Sequence, residues 1–277
     1  MPVSTRDNRS VAAPVERIER SKRTAHHDQL AIEEPLEIRL DDKSVAVVMR
    51  TPGHDEELAV GFLLTEGILH KREELVSVGP RRINKRPDLG NVINVVSGKQ
   101  VNLKKRGWQR NFVSASSCGL CGKLTIESVR LQAPSVADDE LRVSATLLRT
   151  LPDRMRSAQD GFDETGGVHA AGLFDVNGDL LVLREDIGRH NAVDKVVGAS
   201  FLENALPLRG RILLVSGRAS FEIVQKALMA RIPFVAAVSA ASSLAVDLSR
   251  ELGMTLVGFL RGETMNIYTG SERVGEP

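Results

Sequence analysis

From residue 211 to residue 259 the chain alternates short apolar runs with amphipathic stretches, and no other feature constrains its fold as strongly. Residues 211–215 read as a buried strand, 221–231 as a helix, 233–238 as a strand, 244–252 as a helix and 255–259 as a third strand. Strands separated by helical crossovers return to the same sheet edge in the same direction, so this half is expected to be a largely parallel sheet flanked by helices. Residues 168–174 and 180–183 add a hairpin around Asn177 and Gly178, a pair that suits a tight turn, and a helix is expected over 191–202.

The first half is less regular. Residues 36–40 and 45–49 read as a hairpin around a turn at 41–43, and Asp55, Glu56 and Glu57 place acids in the first turn of a helix whose apolar face packs on that hairpin. A strand is expected over 91–96, and helices over 123–131 and from Ser144 towards Met155. The whole is thus α/β: a disordered tail over 1–28, a smaller α+β domain over 29–151 that carries a cysteine loop, and a mixed sheet flanked by helices over 152–277, with the boundary near Pro152.

A formal net charge of +1 supplies no global field for nucleic acid or an acidic membrane, and 4% aromatic content argues against a base-stacking surface. Neither partner is expected. No apolar run suits a bilayer span and the first residues lack a secretory core, so a cytoplasmic location is expected.

The two cysteines, Cys118 and Cys121, stand three positions apart in a stretch of serine and glycine. In a reducing compartment such a pair points to nucleophile, redox or metal chemistry. A thiolate just before a helix gains from free N–H groups, and small neighbours leave room for a partner's active site. A zinc half-site would need histidines or a second copy's cysteines, because a structural zinc takes four ligands; no resident metal is expected. Two inert core thiols would lack apolar neighbours.

Candidate anion sites follow the strands of the second half. Ser216, Arg218 and Ser220 follow one, Ser239, Ser242 and Ser243 the next, and both runs can receive phosphate at a helix N-terminus, although plain N-capping explains serine there equally well. Residues 184–190 pack Arg184, Glu185, Asp186, Arg189 and His190 after a strand, as a ligand-facing rim or a surface ion-pair cluster. The last loop, Phe259, Leu260, Arg261, Gly262, Glu263 and Thr264, offers groups for phosphate or guanine, or is a solvated turn. His169 reads as a satisfied core histidine rather than a catalyst.

With these residues in view, the chain resembles the formate dehydrogenase accessory sulfurtransferase family, FdhD/NarQ, from about Glu34 to Thr269. The marks are residues 58–68, the Cys118-x-x-Cys121 loop, residues 165–171, residues 185–195 and residues 216–220. The resemblance implies a sulfur carrier that takes sulfur from a cysteine desulfurase and gives it to the bis(molybdopterin guanine dinucleotide) molybdenum cofactor destined for formate dehydrogenase. It implies that Cys118 carries the persulfide, that Cys121 is the second cysteine of the motif, and that residues 259–264 contact the cofactor. Arg189, His190, Ser216, Arg218 and Ser239 are further candidates for that contact. It also implies a cytidine deaminase-like fold for the C-terminal part and a homodimer. A zinc deaminase would use His-x-Glu and Pro-Cys-x-x-Cys segments. Here Ala170 and Ala171 follow His169, and Ser117 precedes Cys118, so that chemistry is not expected. A chaperone that holds the cofactor without covalent sulfur chemistry is the remaining alternative.

Overall fold

A computed structural model describes residues 9–81, 91–98 and 133–276. The chain opens with two strands, Ser10–Glu19 (β1) and Lys22–Ala31 (β2), paired antiparallel from Ser10 opposite Ala31 to Glu19 opposite Lys22. This corrects the expectation of a disordered tail for residues 10–28. The strands are rich in charge and bury almost nothing, so pairing along the full length, rather than burial, reveals them. At the base the Ile32 amide donates to the Arg9 carbonyl at 2.8 Å and the Ser10 hydroxyl to Glu164 at 2.5 Å.

Glu34–Leu40 (β3) and Lys43–Arg50 (β4) form the expected hairpin, with Asp41 and Asp42 in the left-handed region (φ 48° and 67°) that a tight turn needs. After the helix Asp55–Thr65 (α1) come Leu75–Pro80 (β5) and Val92–Ser97 (β6), giving a four-stranded sheet in the order β4-β3-β6-β5. Leu36, Ile38, Leu40 and Val95 are buried from the face that meets α1.

Val143–Ser144 (β7) leads into Ala145–Arg156 (α2), whose first turn is capped by Ser144 accepting from the Leu147 amide at 3.1 Å. Then follow Asp160–Thr165 (α3), the hairpin His169–Phe174 (β8) and Leu180–Asp186 (β9), and Arg189–Leu202 (α4). Ile212–Val215 (β10), Phe221–Met229 (α5), Phe234–Ala237 (β11), Ser243–Leu252 (α6) and Thr255–Arg261 (β12) realise the expected alternation. Thr264–Thr269 (β13) and Val274–Gly275 (β14) end the chain, β14 pairing with β7.

The large sheet has the order β13-β12-β11-β10-β8-β9. Only the β10–β11 and β11–β12 pairings are parallel; β8 pairs antiparallel with β10, β9 with β8, and β13 with β12, so the sheet is mixed, as expected for residues 152–277, rather than largely parallel. Pro152, where a domain boundary was expected, lies inside α2. Leu148, Leu151 and Met155 of that helix are buried in one cluster with Phe174, Leu214 and Phe234, so the whole helix packs on the large sheet.

The two sheets share a helical layer. Residues 58–65 of α1 are all buried, because one side meets the four-stranded sheet and the other meets α4. The helices approach to backbone contact: a Cβ on Gly61 would overlap the Asp194 carbonyl oxygen, and one on Gly198 the Glu57 carbonyl oxygen. Only glycine permits this approach. Gly198→Ala must push the helices apart and is expected to cost about 3 kcal/mol or more, an upper-range overpacking penalty, read as a lower urea midpoint at unchanged slope.

Buried charge fastens the same layer. The Lys226 ammonium donates to both Asp194 oxygens at 2.9 Å and to the Thr65 hydroxyl at 3.0 Å, with Glu66 at 3.6 Å. Burial opposes its charge, yet Asp194 and Glu66 outweigh burial and hold its pKa above the ordinary lysine value. At the other end, Lys195 lies 2.7 Å from Asp186 and donates to the Thr51 carbonyl at 2.9 Å. Lys226→Met would leave Asp194 buried without its cation and should destabilise by about 3–5 kcal/mol, measured by the same denaturation.

Candidate functional site

The parallel strands β10, β11 and β12 end at one edge of the large sheet, and backbone bonds zip the loops that follow them. Ala219 donates to Ala240 at 3.0 Å, Ser242 to Ala219 at 3.0 Å, and Phe259 to Ser239 at 2.9 Å. The edge is therefore one continuous rim, with the N-termini of α4 and α5 opening onto it. Neither helix has a side-chain hydrogen-bond cap from its N-cap residue.

Arg189 and His190 begin α4, and His169 begins the neighbouring β8. Gly217 lies beneath them: its Cβ position is 3.5 Å from His169 Nδ1 and 3.6 Å from Arg189 Cδ. Burial, and then the positive charges of Arg189 and His190, push the His169 pKa below the ordinary histidine value. A neutral imidazole here can donate or accept a proton while Arg189 supplies fixed positive charge. The Arg189 Nε atom is buried with no hydrogen-bond partner, an open donor at the rim.

His190 Nε2 stands 3.2 Å from Glu222 Oε2 and 3.4 Å from the Ser220 hydroxyl, which donates to Glu222 at 2.9 Å. The hydrogen bond to His190 chiefly holds Glu222 down to about 2 against burial. The sign follows: a carboxylate depressed in the folded state stabilises the protein above its unfolded value near 4.5 and loses that contribution as pH falls towards about 2. Between pH ~5 and pH ~2 the native chain should lose about 3 kcal/mol more unfolding free energy than Glu222→Gln, in denaturant titrations at each pH.

The other candidates separate. Ser216 Oγ accepts from the Ala170 amide at 2.9 Å, bracing β8 while its own proton stays available. Arg218 is exposed, and Ser239 is half-buried. Of the last segment, Phe259 holds a left-handed φ of 51° and lies under the Arg261 guanidinium, 5.5 Å from ring centre to Cζ. The segment is a strand-ending hairpin rather than a free loop: Arg261 pairs with Thr264 across Gly262 and Glu263. The Leu260 side chain is fully buried in the core beneath the sheet, leaving its backbone alone to meet a ligand.

The dense run 184–190 divides in two. Arg184 grips Glu57 of α1 at 2.5 and 2.7 Å, Glu185 accepts from the Gly161 and Phe162 amides, and Asp186 is fully buried. These three fasten the fold, and only Arg189 and His190 face the rim. Glu222 was not among the residues singled out from the sequence; Gly217 lay within the expected 216–220 anion segment, and His169, expected as a core histidine, is half-buried beside it. Thr165, Gly166 and Gly167 before His169, and Ser220 two residues before Glu222, were the available signals.

Cys118 and Cys121, the loop expected around them and the helix expected over 123–131 lie outside the described residues. Among the described residues no group of three or more His, Cys, Asp or Glu could hold a metal ion, and no helix is long and apolar enough to cross a membrane.

Fold and rim together define an α/β protein whose parallel strands end at a rim of guanidinium, imidazole and hydroxyl groups. Residues 31–275 match the FdhD/NarQ family. The chain is 52% identical over 252 residues to a sulfur carrier protein FdhD of Streptomyces avermitilis, covering 89% of each chain. It is 51% identical over 258 residues to one of Mycolicibacterium paratuberculosis, covering 91% of this chain and 93% of that one. A crystal structure from Desulfotalea psychrophila, assigned as a formate dehydrogenase accessory protein, superposes with a TM-score of 0.76 at 26% identity, covering 96% of this chain and 99% of that one. The chain belongs to the FdhD/NarQ family.

Proposed function

We propose that this chain is a sulfurtransferase that takes sulfur from a cysteine desulfurase onto Cys118 and passes it to the bis(molybdopterin guanine dinucleotide) molybdenum cofactor required by formate dehydrogenase. The observation that carries the reading is family membership, with curated relatives named as sulfur carriers. In the loading step the Cys118 thiolate attacks the outer sulfur of the donor's persulfide. The donor's S–S bond breaks, its cysteine leaves as thiolate, and Cys118 becomes the persulfide. Attack by Cys121 on the Cys118 sulfur would then expel sulfide and leave a Cys118–Cys121 disulfide, so the two thiols supply the electrons that delivery needs.

The rim supports the receiving half of the reaction. Arg189, His190, Ser216, Arg218, Ser239 and the segment from Phe259 to Thr264 offer guanidinium, hydroxyl and backbone N–H donors to diphosphate and guanine. We read the surrounding sheet as cytidine deaminase-like, the location as cytoplasmic, and the working form as a homodimer. A chaperone without sulfur chemistry would use the same rim, so the cysteines decide between the two.

Incubated with a desulfurase and cysteine, the native chain should gain one sulfur atom by intact mass spectrometry, and Cys118→Ala should gain none. Loading that survives the substitution overturns the reading, and Cys118→Ala that still matures formate dehydrogenase favours the chaperone. GDP should raise the melting temperature more than ADP, and Arg189→Ala should weaken GDP binding by roughly 10–100-fold.

A further inference from the structure

His190 is the second residue of α4 and Glu222 the second residue of α5, so the imidazole lies between the starts of two helices at the rim. An imidazole has two nitrogens, and only one is engaged here. Nε2 is 3.2 Å from Glu222 Oε2 and 3.4 Å from Ser220 Oγ, whereas Nδ1 makes no hydrogen bond among the described residues. The side chain keeps 14% of its surface open to solvent.

The supply of protons decides which nitrogen carries hydrogen. Glu222, held down to about 2, is ionised at neutral pH and can only accept. The Ser220 hydroxyl has a single proton and gives it to Glu222. Neither neighbour can donate to Nε2, so Nε2 itself carries hydrogen and donates. Nδ1 is then a bare lone pair in the neutral ring and a second donor in the charged one. A carboxylate that fixes tautomer and ring orientation, and balances the imidazolium charge, readies an imidazole for proton exchange through its other nitrogen.

Local charge sets when the second proton is held. Facing the ring are Glu222 from α5, Arg189 beside it on α4, and His169 from β8, whose own protonation is opposed by Arg189 and His190. Without a ligand the Glu222 carboxylate favours the imidazolium and the Arg189 guanidinium opposes it. Arg189 forms no ion pair among the described residues, and its buried Nε has no partner. An anion that pairs with Arg189 cancels the opposing charge and adds a negative one, so the ring gains a proton as the anion arrives.

We infer that His190 takes up a proton when an anionic ligand binds the rim and gives that ligand an Nδ1–H hydrogen bond, with Glu222 as the positioning residue. This deepens the reading of the rim as a site for guanine and diphosphate, and rests on it.

The test is isothermal titration calorimetry of GDP into the full chain at pH ~7.5, where a terminal phosphate with a second pKa of about 6 is almost fully ionised. Two buffers of different ionisation enthalpy give the number of protons exchanged. The native chain should take up a few tenths of a proton, so GDP affinity should fall about twofold for each unit that pH rises. His190→Asn should still bind GDP, which shows that it is folded, and should lose the uptake. Glu222→Gln should move the uptake to lower pH and Glu222→Asp should restore it, whereas an ion pair that merely joined two helices would leave the proton count unchanged. His169→Asn should keep the uptake. GDP binding without uptake in the native chain, uptake that survives His190→Asn, uptake unmoved by Glu222→Gln or uptake lost in His169→Asn overturns the inference alone. A native chain that does not bind GDP overturns the reading of the rim as well, and leaves sulfur loading on Cys118 to be judged by its own measurement.

Discussion

The backbone contact between Gly61 and Gly198 is the constraint on which the other arrangements rest. It packs α1 against the four-stranded sheet on one side and, on the other, against α4, which itself lies on the large sheet. Once the axes are that close, Thr65 reaches Asp194 at 2.7 Å and Lys226 closes the bond network between three helices. Close approach removes water, which strengthens those bonds and also makes each one costly to leave unpaired.

Buried charge of this kind is weak evidence for stability on its own, since desolvation offsets most of the attraction. Its effect here is on geometry. Asp186 accepts from Thr51, Gly188, Asn191 and Lys195, so the turn that starts α4 has one permitted position. Arg189 and His190 follow that turn directly and inherit its fixity. The rim is thus supported from behind by groups that never face a ligand.

Much of the large sheet was legible because its strands are short apolar runs between helices, a pattern local in sequence. The β3–β4 hairpin was legible for the same reason, through the turn at Asp41 and Asp42. What was not legible depends on distant pairing. The full burial of α1 comes from α4, well over a hundred residues later, and β13 shows itself only against β12. In the site, Arg189 and His190 stood out as charge after a strand. Glu222 did not, because a glutamate in a helix's first turn is ordinarily solvated and its partner is on another helix. The β1–β2 hairpin was hidden because strands that bury almost nothing carry no alternation of apolar and polar residues.

The central claim is that α1 and α4 bind both sheets into one cooperative body that holds the rim in place. Native-state hydrogen exchange tests this most directly. The account predicts that the amides of α1, β3 and β6 open at the same free energy as those of β10 and β11, and with the same denaturant dependence. If the four-stranded sheet and α1 instead exchange through a separate, lower-energy opening while the large sheet stays protected, the two sheets are independent and the account is contradicted.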